Sequence, residues 1–303
     1  MMRLRLIWLA LLLGIRIGSG ETFRVATYNV ENYLDQAAGS RHAKSEEAKA
    51  KVRESILALK PDVLALQEIG TDSALKELQD SLKKEGVDLP FCERFLGYDT
   101  NVHVAILSRF PFAAVNPHTN DNYLLGGKRF RVNRGFGEVK IDMNPHYSFT
   151  LITAHLKSKR AVPQADEAEM RCEEAKLLRE KVDALLGADP KINLIVLGDL
   201  NDTKDSESTK IVIGRGKGKL LDTRPAERNG DAAYRTGRGS PRNITWTHYY
   251  EVQDTYSRID YVLLSPGMAR EWVAAETYVL ALPDWGLASD HRPLVATFEA
   301  EDR

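Results

Sequence analysis

Ile192-Asn-Leu-Ile-Val-Leu-Gly-Asp-Leu-Asn201 is the stretch of this sequence that decides the fold. Its apolar, β-branched run predicts a strand that stops at Gly198-Asp199. A strand that is apolar at successive positions is typical of a sheet covered on both faces, as in α/β proteins. Asp199 and Asn201 follow the end of the strand, where α/β proteins place their chemistry. The stretch therefore predicts a polar site at one edge of a buried sheet.

Other apolar strands of the chain also end at polar side chains. They end at Tyr28-Asn-Val-Glu-Asn32, at Gln67-Glu68, at His155 and before Ser289-Asp-His291, and Asp260 in Arg258-Ile-Asp-Tyr261 is a sixth contributor. Taken singly, each residue has an ordinary explanation as a turn former, a helix cap or a solvated pair. Together they offer oxygen ligands for a hard divalent cation and two histidines beside it, as phosphate ester hydrolysis requires.

Strand patterns outnumber helix patterns along the chain. Helices are predicted at Ser45–Leu59, Thr71–Lys84 and Gln164–Leu186. Strands are predicted at Phe23–Val30, Asp62–Leu66, Val102–Leu107, Phe130–Ile141, Tyr147–Ala154, Ile192–Leu197, Arg258–Leu264, Val273–Leu280 and Leu294–Phe298. Many strands with few helices favour an α/β sandwich, in which two sheets pack face to face with helices outside. A doubly wound sheet would need more helices between its strands.

The first twenty residues have the layout of a secretory signal peptide. Arginines precede the apolar run Leu6–Leu13, and small residues at 17–20 follow it. The run is too short for an ordinary membrane span, although Arg16 and the lack of a clean cleavage motif leave an uncleaved anchor as an alternative. We predict a signal peptide at 1–20, one catalytic domain at 21–303 and a secreted or periplasmic location. No later stretch is apolar enough to span a bilayer.

The charge of the chain disfavours a purely electrostatic polyanion binder. The net charge is −1 over 303 residues, and removal of the leader with its three arginines makes the chain more acidic. Contact with nucleic acid must then come from local patches. The candidates are Lys128–Arg134 and Arg215–Lys219, although each also fits a solvated surface, the second in particular.

The two cysteines, Cys92 and Cys172, form neither a disulfide framework nor the spacing of a metal site. Export would permit a bridge between them. Cys172 lies in a predicted helix, where a buried thiol is the simpler interpretation.

With their flanking residues, the polar segments resemble the endonuclease/exonuclease/phosphatase superfamily, which includes pancreatic-type deoxyribonuclease, apurinic endonucleases and sphingomyelinases. The matching segments occur in the expected order along the whole mature chain. They are Ala26-Thr-Tyr-Asn-Val-Glu-Asn32, Pro61-Asp-Val-Leu-Ala-Leu-Gln-Glu68, Ile152-Thr-Ala-His-Leu-Lys-Ser158, Val196-Leu-Gly-Asp-Leu-Asn201, Arg258-Ile-Asp-Tyr261 and Ser289-Asp-His-Arg-Pro293. The resemblance implies a four-layer α/β sandwich with two mainly antiparallel sheets.

The resemblance also implies a Mg²⁺ or Mn²⁺ cofactor held mainly by Glu68. Asn29, Glu31 or Asp290 would serve as direct or water-mediated ligands. A hard cation with few protein ligands keeps bound waters, which leaves room for a substrate phosphate. Several relatives carry Asp at the position of Glu31, whose longer side chain would move or remove a ligand. Nothing in the sequence supports Ca²⁺ instead.

For catalysis, the resemblance implies in-line attack by a positioned water. Asp199 would align or deprotonate this water, and Asn201 would hold it or a phosphate oxygen. His291 would contact the scissile phosphate or act as the base, with Asp260 fixing its tautomer. His155 would donate to a non-bridging oxygen or to the leaving group. The sequence leaves open whether Asp199 or His291 activates the water.

Three functions compete on this scaffold. The first is a secreted endonuclease for DNA or RNA, because Ala154–Lys159 resembles bacterial extracellular nucleases and Lys157, Arg131 and Arg134 would bind backbone phosphates. The second is a phosphodiesterase or phosphatase for a small molecule or lipid headgroup, which the mild acidity favours. The third is a binding protein that has lost the chemistry. We predict the nuclease, as a monomer.

Overall fold

A computed structural model of the chain describes residues 21–228 and 245–301. Its helices begin at side-chain caps: Ser45, Thr71, Asp166 and Ser206 each accept a hydrogen bond from a backbone N–H of the first turn. The α-helices are α1 (Glu46–Leu59), α2 (Asp72–Lys84), α3 (Glu167–Ala188) and α4 (Glu207–Ile213). The first three confirm the predicted helices to within a few residues, whereas the short α4 was not predicted.

Seventeen strands lie in the described residues. In chain order they are β1 (Thr22–Tyr33), β2 (Val63–Ile69), β3 (Phe91–Phe95), β4 (His103–Ser108), β5 (Phe112–His118), β6 (Asn122–Leu125), β7 (Lys128–Arg131), β8 (Phe136–Asn144), β9 (Tyr147–His155), β10 (Leu194–Asp199), β11 (Leu221–Asp222), β12 (Ala226–Glu227), β13 (His248–Tyr250), β14 (Thr255–Ser257), β15 (Asp260–Leu264), β16 (Trp272–Val279) and β17 (Leu294–Glu299).

Two large sheets carry the fold. The first has the order β12-β16-β17-β1-β2-β4-β3, and the second has the order β11-β15-β10-β9-β8-β5. Most neighbours are antiparallel, but the pairs β1–β2 and β9–β10 at the centres of the two sheets are parallel, as is the short pair β12–β16 at one edge of the first sheet. Two small hairpins, β6–β7 and β13–β14, complete the strands. The predicted arrangement of two mainly antiparallel sheets is confirmed.

The core has three apolar layers, which make a four-layer sandwich. Alternate side chains of β1 and β10, such as Val25 and Ile195, fill the space between the sheets. The other faces pack under helices: Ala26 lies with residues of α1 and α2, and Val196 with residues of α3 and α4. Because both faces are covered, the central strands are apolar at nearly every position.

The two central parallel pairs, β1–β2 and β9–β10, bring the ends of four strands to one edge. Asn29 pairs with Gln67 at the ends of β1 and β2, and Asp199 pairs with His155 at the ends of β9 and β10. The antiparallel strand β15 begins opposite Asp199. A hydrogen bond of 3.0 Å from Asn29 Nδ2 to Asp199 Oδ2 joins the two sheets at this edge.

The prediction of one continuous strand at Phe130–Ile141 was wrong. The stretch is divided between β7 and β8, with Gly135 in the left-handed region at φ 69°. A Cβ at Gly135 would lie 2.5 Å from the carbonyl oxygen of Leu96, so only glycine fits this turn. The edge strands β3 and β5 were also missed, and β5 is largely exposed and contains a proline.

The predicted signal peptide at 1–20 lies outside the described residues. Within residues 21–228 and 245–301, no helix has the length and apolarity needed to cross a membrane. Cys92 and Cys172 are half-buried free thiols rather than partners in a bridge.

Candidate active site

Asp199 lies at the centre of the edge where the strands end. It follows Gly198, which has φ 126° and whose missing Cβ would collide with the carbonyl oxygen of Ala154 on β9. The glycine therefore lets β10 approach β9 closely and turn Asp199 into the site. The Asp199 carboxylate is buried, with 1% of the residue exposed. Its Oδ1 accepts a hydrogen bond of 2.7 Å from the N–H of Asn201.

The imidazoles of His155 and His291 lie close to the other carboxylate oxygen of Asp199, Oδ2. His155 Nε2 is 3.4 Å from Asp199 Oδ2, and His291 Nε2 is 3.7 Å from the same atom. His291 Nδ1 lies 2.8 Å from Asp260 Oδ2. Since a carboxylate accepts only, this contact fixes a proton on Nδ1 and turns Nε2 toward Asp199. The predicted catalytic side chains thus converge from three strands and the loop before β17.

The surroundings shift the pKa values of His155 and His291 in opposite directions. Burial lowers the pKa of His155 well below its usual range, and the nearby charges of Arg134, His291 and Arg41 act in the same direction. Burial also opposes the charge on His291, but Asp260 and Asp199 outweigh it and hold the pKa of His291 well above its usual range. His155 is therefore neutral at neutral pH, and His291 is an imidazolium.

Burial raises the pKa of Asp199 to about 6, and the charge of Asp260 adds to this effect. His291, the N–H of Asn201 and the Asn29 amide oppose the shift because they stabilise the carboxylate. At neutral pH Asp199 is thus a carboxylate, and its pKa lies close to neutral pH, as an efficient general base requires.

Glu31, Glu68 and Asp290 form a second, acidic part of the site. Asp290 and Glu68 raise the pKa of Glu31, after the larger effect of burial. Lys44 faces these three carboxylates and supplies one positive charge, and its Nζ donates a 2.8 Å hydrogen bond to the carbonyl oxygen of Glu31. The donors are oxygens with an excess of negative charge, a set that fits a hard divalent cation such as Mg²⁺ or Mn²⁺.

The predicted metal ligands are close but do not form one tight cluster. Glu31 Oε2 accepts a 3.1 Å hydrogen bond from the N–H of Asp290, and Glu68 Oε1 is 4.0 Å from His155 Nε2. Among the described residues, the groups of three whose ligand atoms lie within 4.8 Å are His248, Asp290 and His291, and Asp199, Asp260 and His291. Glu68 is in neither group, so it would hold a cation with few protein ligands.

Strained backbone accompanies these side chains. Glu31, Asn32, Glu68 and Asn201 have φ of 43°, 51°, 63° and 55°, a region that residues with large side chains rarely adopt. The pairing of β1 and β2 shifts register after Asn29, as in a β-bulge. The N–H of Asn32 donates a 3.0 Å hydrogen bond to Glu68 Oε2, which ties the two strained ends together. Such conformations cluster at functional sites.

Two predicted carboxamides link the parts of the site. Asn29 Oδ1 accepts a 3.0 Å hydrogen bond from the N–H of Glu31, while its Nδ2 contacts Asp199 Oδ2 and His291 Nε2 at 3.0 and 3.4 Å. Asn201 Nδ2 donates a 2.9 Å hydrogen bond to the carbonyl oxygen of Leu156. This bond leaves the Oδ1 atom of Asn201 as the group with which it would hold a water.

The predicted phosphate contacts of Lys157 and Arg134 need correction. Both residues are about 6% exposed. Lys157 Nζ donates to the carbonyl oxygens of Ser158 and Arg160 at 2.9 and 2.8 Å, and Arg134 Nη1 donates to that of Leu156 at 3.2 Å. These cations stabilise the loop after His155 instead of facing a polynucleotide, although the charge of Arg134 still acts on His155.

Arg131 is exposed, as a substrate contact requires. It lies on the β6–β7 hairpin, where Lys128 and Arg129 are also exposed. Its guanidinium lies 5.7 Å from the centre of the Tyr98 ring. The next residue after Tyr98, Asp99, forms a 3.0 Å ion pair with Arg41, whose charge acts on His155. The basic hairpin is thus linked to the site through Tyr98, Asp99 and Arg41.

His248 and Lys44 are site neighbours that the sequence analysis missed. His248 follows the run Thr245-Trp-Thr, and its ring centre lies 4.5 Å from that of His291. A lone histidine in an aromatic hairpin and a lysine before a helix carry no spacing signal. Only the tertiary fold brings them to the strand ends.

Several solved structures share this fold. The human Nocturnin catalytic domain with bound sulfate anion superposes with a TM-score of 0.61 at 21% identity, over 92% of this chain and 95% of that chain. A double mutant of beta toxin from Staphylococcus aureus with bound magnesium ions gives 0.61 at 18% identity, over 92% and 100%. Sphingomyelinase C from Streptomyces griseocarneus gives 0.58 at 17% identity, over 92% and 100%. At these identities the likeness concerns the fold.

The sequence itself places the chain in a family, although no curated protein sequence matches it. Residues 26–291 match the profile described as the Endonuclease/Exonuclease/phosphatase family. The match begins just before Asn29 and ends at His291, so it spans both ends of the site and most of the chain. The chain belongs to the endonuclease/exonuclease/phosphatase family, as its polar segments predicted.

Proposed function

We propose that the protein is a divalent-metal-dependent phosphodiesterase that is exported and cleaves nucleic acid. The observation that supports the chemistry best is the convergence of His155 and His291 on one buried carboxylate oxygen of Asp199, at 3.4 and 3.7 Å. Family membership supports the reaction class, since its members act on phosphoester bonds. The strand ends then form the floor of a site for one phosphodiester group.

A divalent cation near Glu68, Glu31 and Asp290 would supply a Lewis acid for the phosphoryl oxygens. The excess of carboxylate charge around Lys44 favours its binding. The beta toxin structure with bound magnesium ions supports the choice of metal. The remaining steps depend on this chain's own residues.

Asp199 is the group that we assign to the attacking water. His291 already carries its proton at neutral pH, because Asp260 and Asp199 stabilise the imidazolium, and so it cannot accept another. Asp199 is unprotonated and has a pKa of about 6. The carboxylate therefore orients and deprotonates the water, with Asn201 Oδ1 beside it.

His291 then stabilises the charge that develops on the phosphoryl oxygens. Its Nδ1–H is held by Asp260, so Nε2–H points into the site and can donate to a non-bridging oxygen. Neutral His155 lies beside the same oxygen of Asp199 and close to Glu68. Through Nε2–H it can donate to a second oxygen without adding a charge next to the metal site.

Nucleic acid is the substrate class that the surface beside the site favours. Lys128, Arg129 and Arg131 are exposed on the β6–β7 hairpin, and Tyr98 adds an exposed aromatic ring beside them. Cations and aromatic rings together suit phosphates and bases of a polynucleotide. A lipid headgroup is the second candidate, because Tyr250 and Val252 are exposed in and after β13, whose His248 contacts His291, and Leu287 is exposed four residues before His291.

The test is hydrolysis by the purified protein of plasmid DNA, RNA, a phosphomonoester and sphingomyelin, each with Mg²⁺ or with chelator. We expect Mg²⁺-dependent cleavage of at least one nucleic acid. Cleavage of sphingomyelin or the phosphomonoester alone would contradict the nuclease assignment and retain the chemistry. No turnover of any ester would contradict both, and the binding protein would become the better interpretation.

We propose export because of the arginine-flanked apolar run in residues 1–20. Expression of the full gene in a bacterium with a Sec pathway, followed by mass spectrometry of periplasmic and cytoplasmic fractions, tests it. We expect a shortened, periplasmic chain. A full-length cytoplasmic product would contradict export.

A further inference from the structure

The β13–β14 hairpin brings a third histidine to the site. His248 is paired antiparallel with His291 in an isolated bridge, which places the two side chains directly opposite each other. The N–H of Arg292 donates to the carbonyl oxygen of Thr247 at 2.6 Å, and that of Tyr249 donates to the carbonyl oxygen of Asp290 at 3.0 Å. Backbone pairing therefore fixes His248 next to Asp290 and His291.

The ligand atoms of these three side chains are spaced as for a small cation. His248 Nε2 is 3.5 Å from Asp290 Oδ2, and His291 Nε2 is 3.8 Å from Asp290 Oδ1. All three residues can offer atoms within 4.8 Å of one another. In a tetrahedral zinc site with bonds near 2 Å, neighbouring ligand atoms lie about 3.3 Å apart. Small side-chain rotations would bring the three atoms to that spacing.

His291 is prepared for such a role by Asp260. The carboxylate holds the Nδ1–H at 2.8 Å, so Nε2 is the ring nitrogen that remains for a metal. Zinc-binding histidines commonly donate their other N–H to a carboxylate in this way. The buried group Asp199, Asp260 and His291 is a poorer candidate, because an ion there would disrupt the contact between Asp260 and His291.

We propose that His248, Asp290 and His291 form a site for Zn²⁺ or a similar transition metal, distinct in ligand chemistry from the oxygen-rich set around Glu68. Two imidazoles and one carboxylate are a known zinc ligand set that leaves a fourth position open. Imidazole ligands favour Zn²⁺, whereas Mg²⁺ prefers oxygen ligands. The site is partly open to solvent, since 42% of the Asp290 side chain and 17% of the His248 side chain are exposed.

Zn²⁺ at this site acts as an inhibitor, an inference that rests on the proposed function. It replaces the proton on Nε2 of His291, which is released to solvent, and this nitrogen is the atom assigned to the phosphoryl oxygens. Zn²⁺ therefore removes the hydrogen bond from His291 even when Mg²⁺ saturates Glu31 and Glu68.

Calorimetric titration of the full chain with ZnCl₂ in millimolar MgCl₂ tests the site without an activity assay. We expect one Zn²⁺ per wild-type chain, binding weakened at least tenfold in His248→Gln, and binding unchanged in His146→Gln. His146 is an exposed histidine in the β8–β9 turn, at the far end of β9 from His155. Unchanged binding in His248→Gln, or no binding to the wild type, would overturn the proposal.

Two further readouts separate the site from the proposed function. Co²⁺ in the wild type should give the intense visible absorption of a four-coordinate N/O site, and its absence would count against the proposal whatever the variants do. Zn²⁺ should inhibit the Mg²⁺-dependent rate at least tenfold less effectively in His248→Gln, relative to that variant's own rate. Zn²⁺ binding through His248 in a protein that cleaves no phosphodiester would contradict the proposed function and retain the site.

Discussion

At the scale of single residues, one oxygen atom organises the site. Asp199 Oδ2 accepts from Asn29 at 3.0 Å and lies within 3.7 Å of the imidazoles of His155 and His291. Asn29 and His291 stabilise the carboxylate, while burial and Asp260 destabilise it. The balance leaves a base of intermediate strength beside an imidazolium, and this difference in protonation assigns different tasks to two chemically similar histidines.

Asp260→Asn tests how His291 keeps its proton. Loss of the carboxylate should lower the pKa of His291, because Asp260 is the largest of the effects that raise it. The ring proton signal of His291 in an NMR titration should therefore move its midpoint to lower pH. We expect activity to fall about 10- to 100-fold, less than in His291→Ala. An unchanged midpoint would exclude Asp260 from this role.

The chemical identities at the site were predictable from sequence, but their protonation and burial were not. Asp199 and His155 were found because each ends an apolar strand, and His291 because its segment completes a familiar order. Lys157 and Arg134 were expected to face substrate because a cation near a phosphate site normally would. Their ammonium and guanidinium groups instead bind loop carbonyls, a contact set by tertiary structure that no local pattern encodes.

At the scale of elements, the parallel pair β9–β10 determines where Asp199 lies. Gly198→Ala should lower the free energy of unfolding by at least about 2 kcal/mol, because a Cβ both meets the Ala154 carbonyl and resists φ 126°. The matched control is Gly187→Ala in α3, where a Cβ meets nothing within 4 Å. That change should be neutral or stabilising by about 1 kcal/mol. Equal denaturation midpoints for the two variants would contradict this account.

Helix α3 supports the loop after His155 through a buried carboxylate. Glu174 accepts from the N–H of Asn133 at 3.2 Å and from that of Lys157 at 2.6 Å. Burial nevertheless raises the pKa of Glu174 to about 7. Because the folded state then binds a proton more tightly than the unfolded state, this group's contribution to stability falls as pH rises from about 4.5 to 7.

Glu174→Gln should therefore remove that pH dependence. The difference in unfolding free energy between the variant and the wild type should shift in favour of the variant by about 3 kcal/mol between pH 4.5 and pH 8. Urea denaturation at several pH values measures it. At low pH, the absolute difference in unfolding free energy depends on how well the amide fits the two N–H donors. Only the change of this difference with pH tests the raised pKa. A difference that does not change with pH would contradict a raised pKa.

Elements with both faces buried were the ones that sequence predicted well. β10 and β17 have long apolar runs, and their predicted positions agree with the structure to within a few residues. The division between β7 and β8 was missed, because the backbone turn at Gly135 depends on contact with Leu96, which is distant in sequence. The exposed edge strand β5 lacks the apolar alternation on which such predictions depend.

At the scale of the whole molecule, two sheets pack face to face, and their strand ends form the site at one edge. Two hairpins lie outside the large sheets. The sandwich was predictable from the number of strands and the family resemblance. The positions of the hairpins were not, because β6–β7 and β13–β14 belong to neither large sheet. His248 and the basic hairpin were therefore placed by the structure alone.

Lys128→Ala, Arg129→Ala and Arg131→Ala combined should weaken DNA binding and flatten its salt dependence. If each cation neutralises one phosphate, the slope of log affinity against log salt should fall in magnitude by about 3. The matched control combines Arg215→Ala, Lys217→Ala and Lys219→Ala, three cations of another surface loop. Fluorescence anisotropy with a labelled oligonucleotide measures both. An equal change in the two triple variants would remove the hairpin from substrate binding.

The most direct test of the central claim, that these strand ends form one phosphodiesterase site, is the initial rate of phosphodiester hydrolysis by wild type and Asp199→Asn with saturating Mg²⁺. The substitution replaces one carboxylate oxygen by an NH₂ group, which preserves the volume of the buried side chain and removes the base. We expect the rate to fall about 10³-fold or more with little change in melting temperature. A folded Asp199→Asn protein within tenfold of the wild-type rate would contradict the claim.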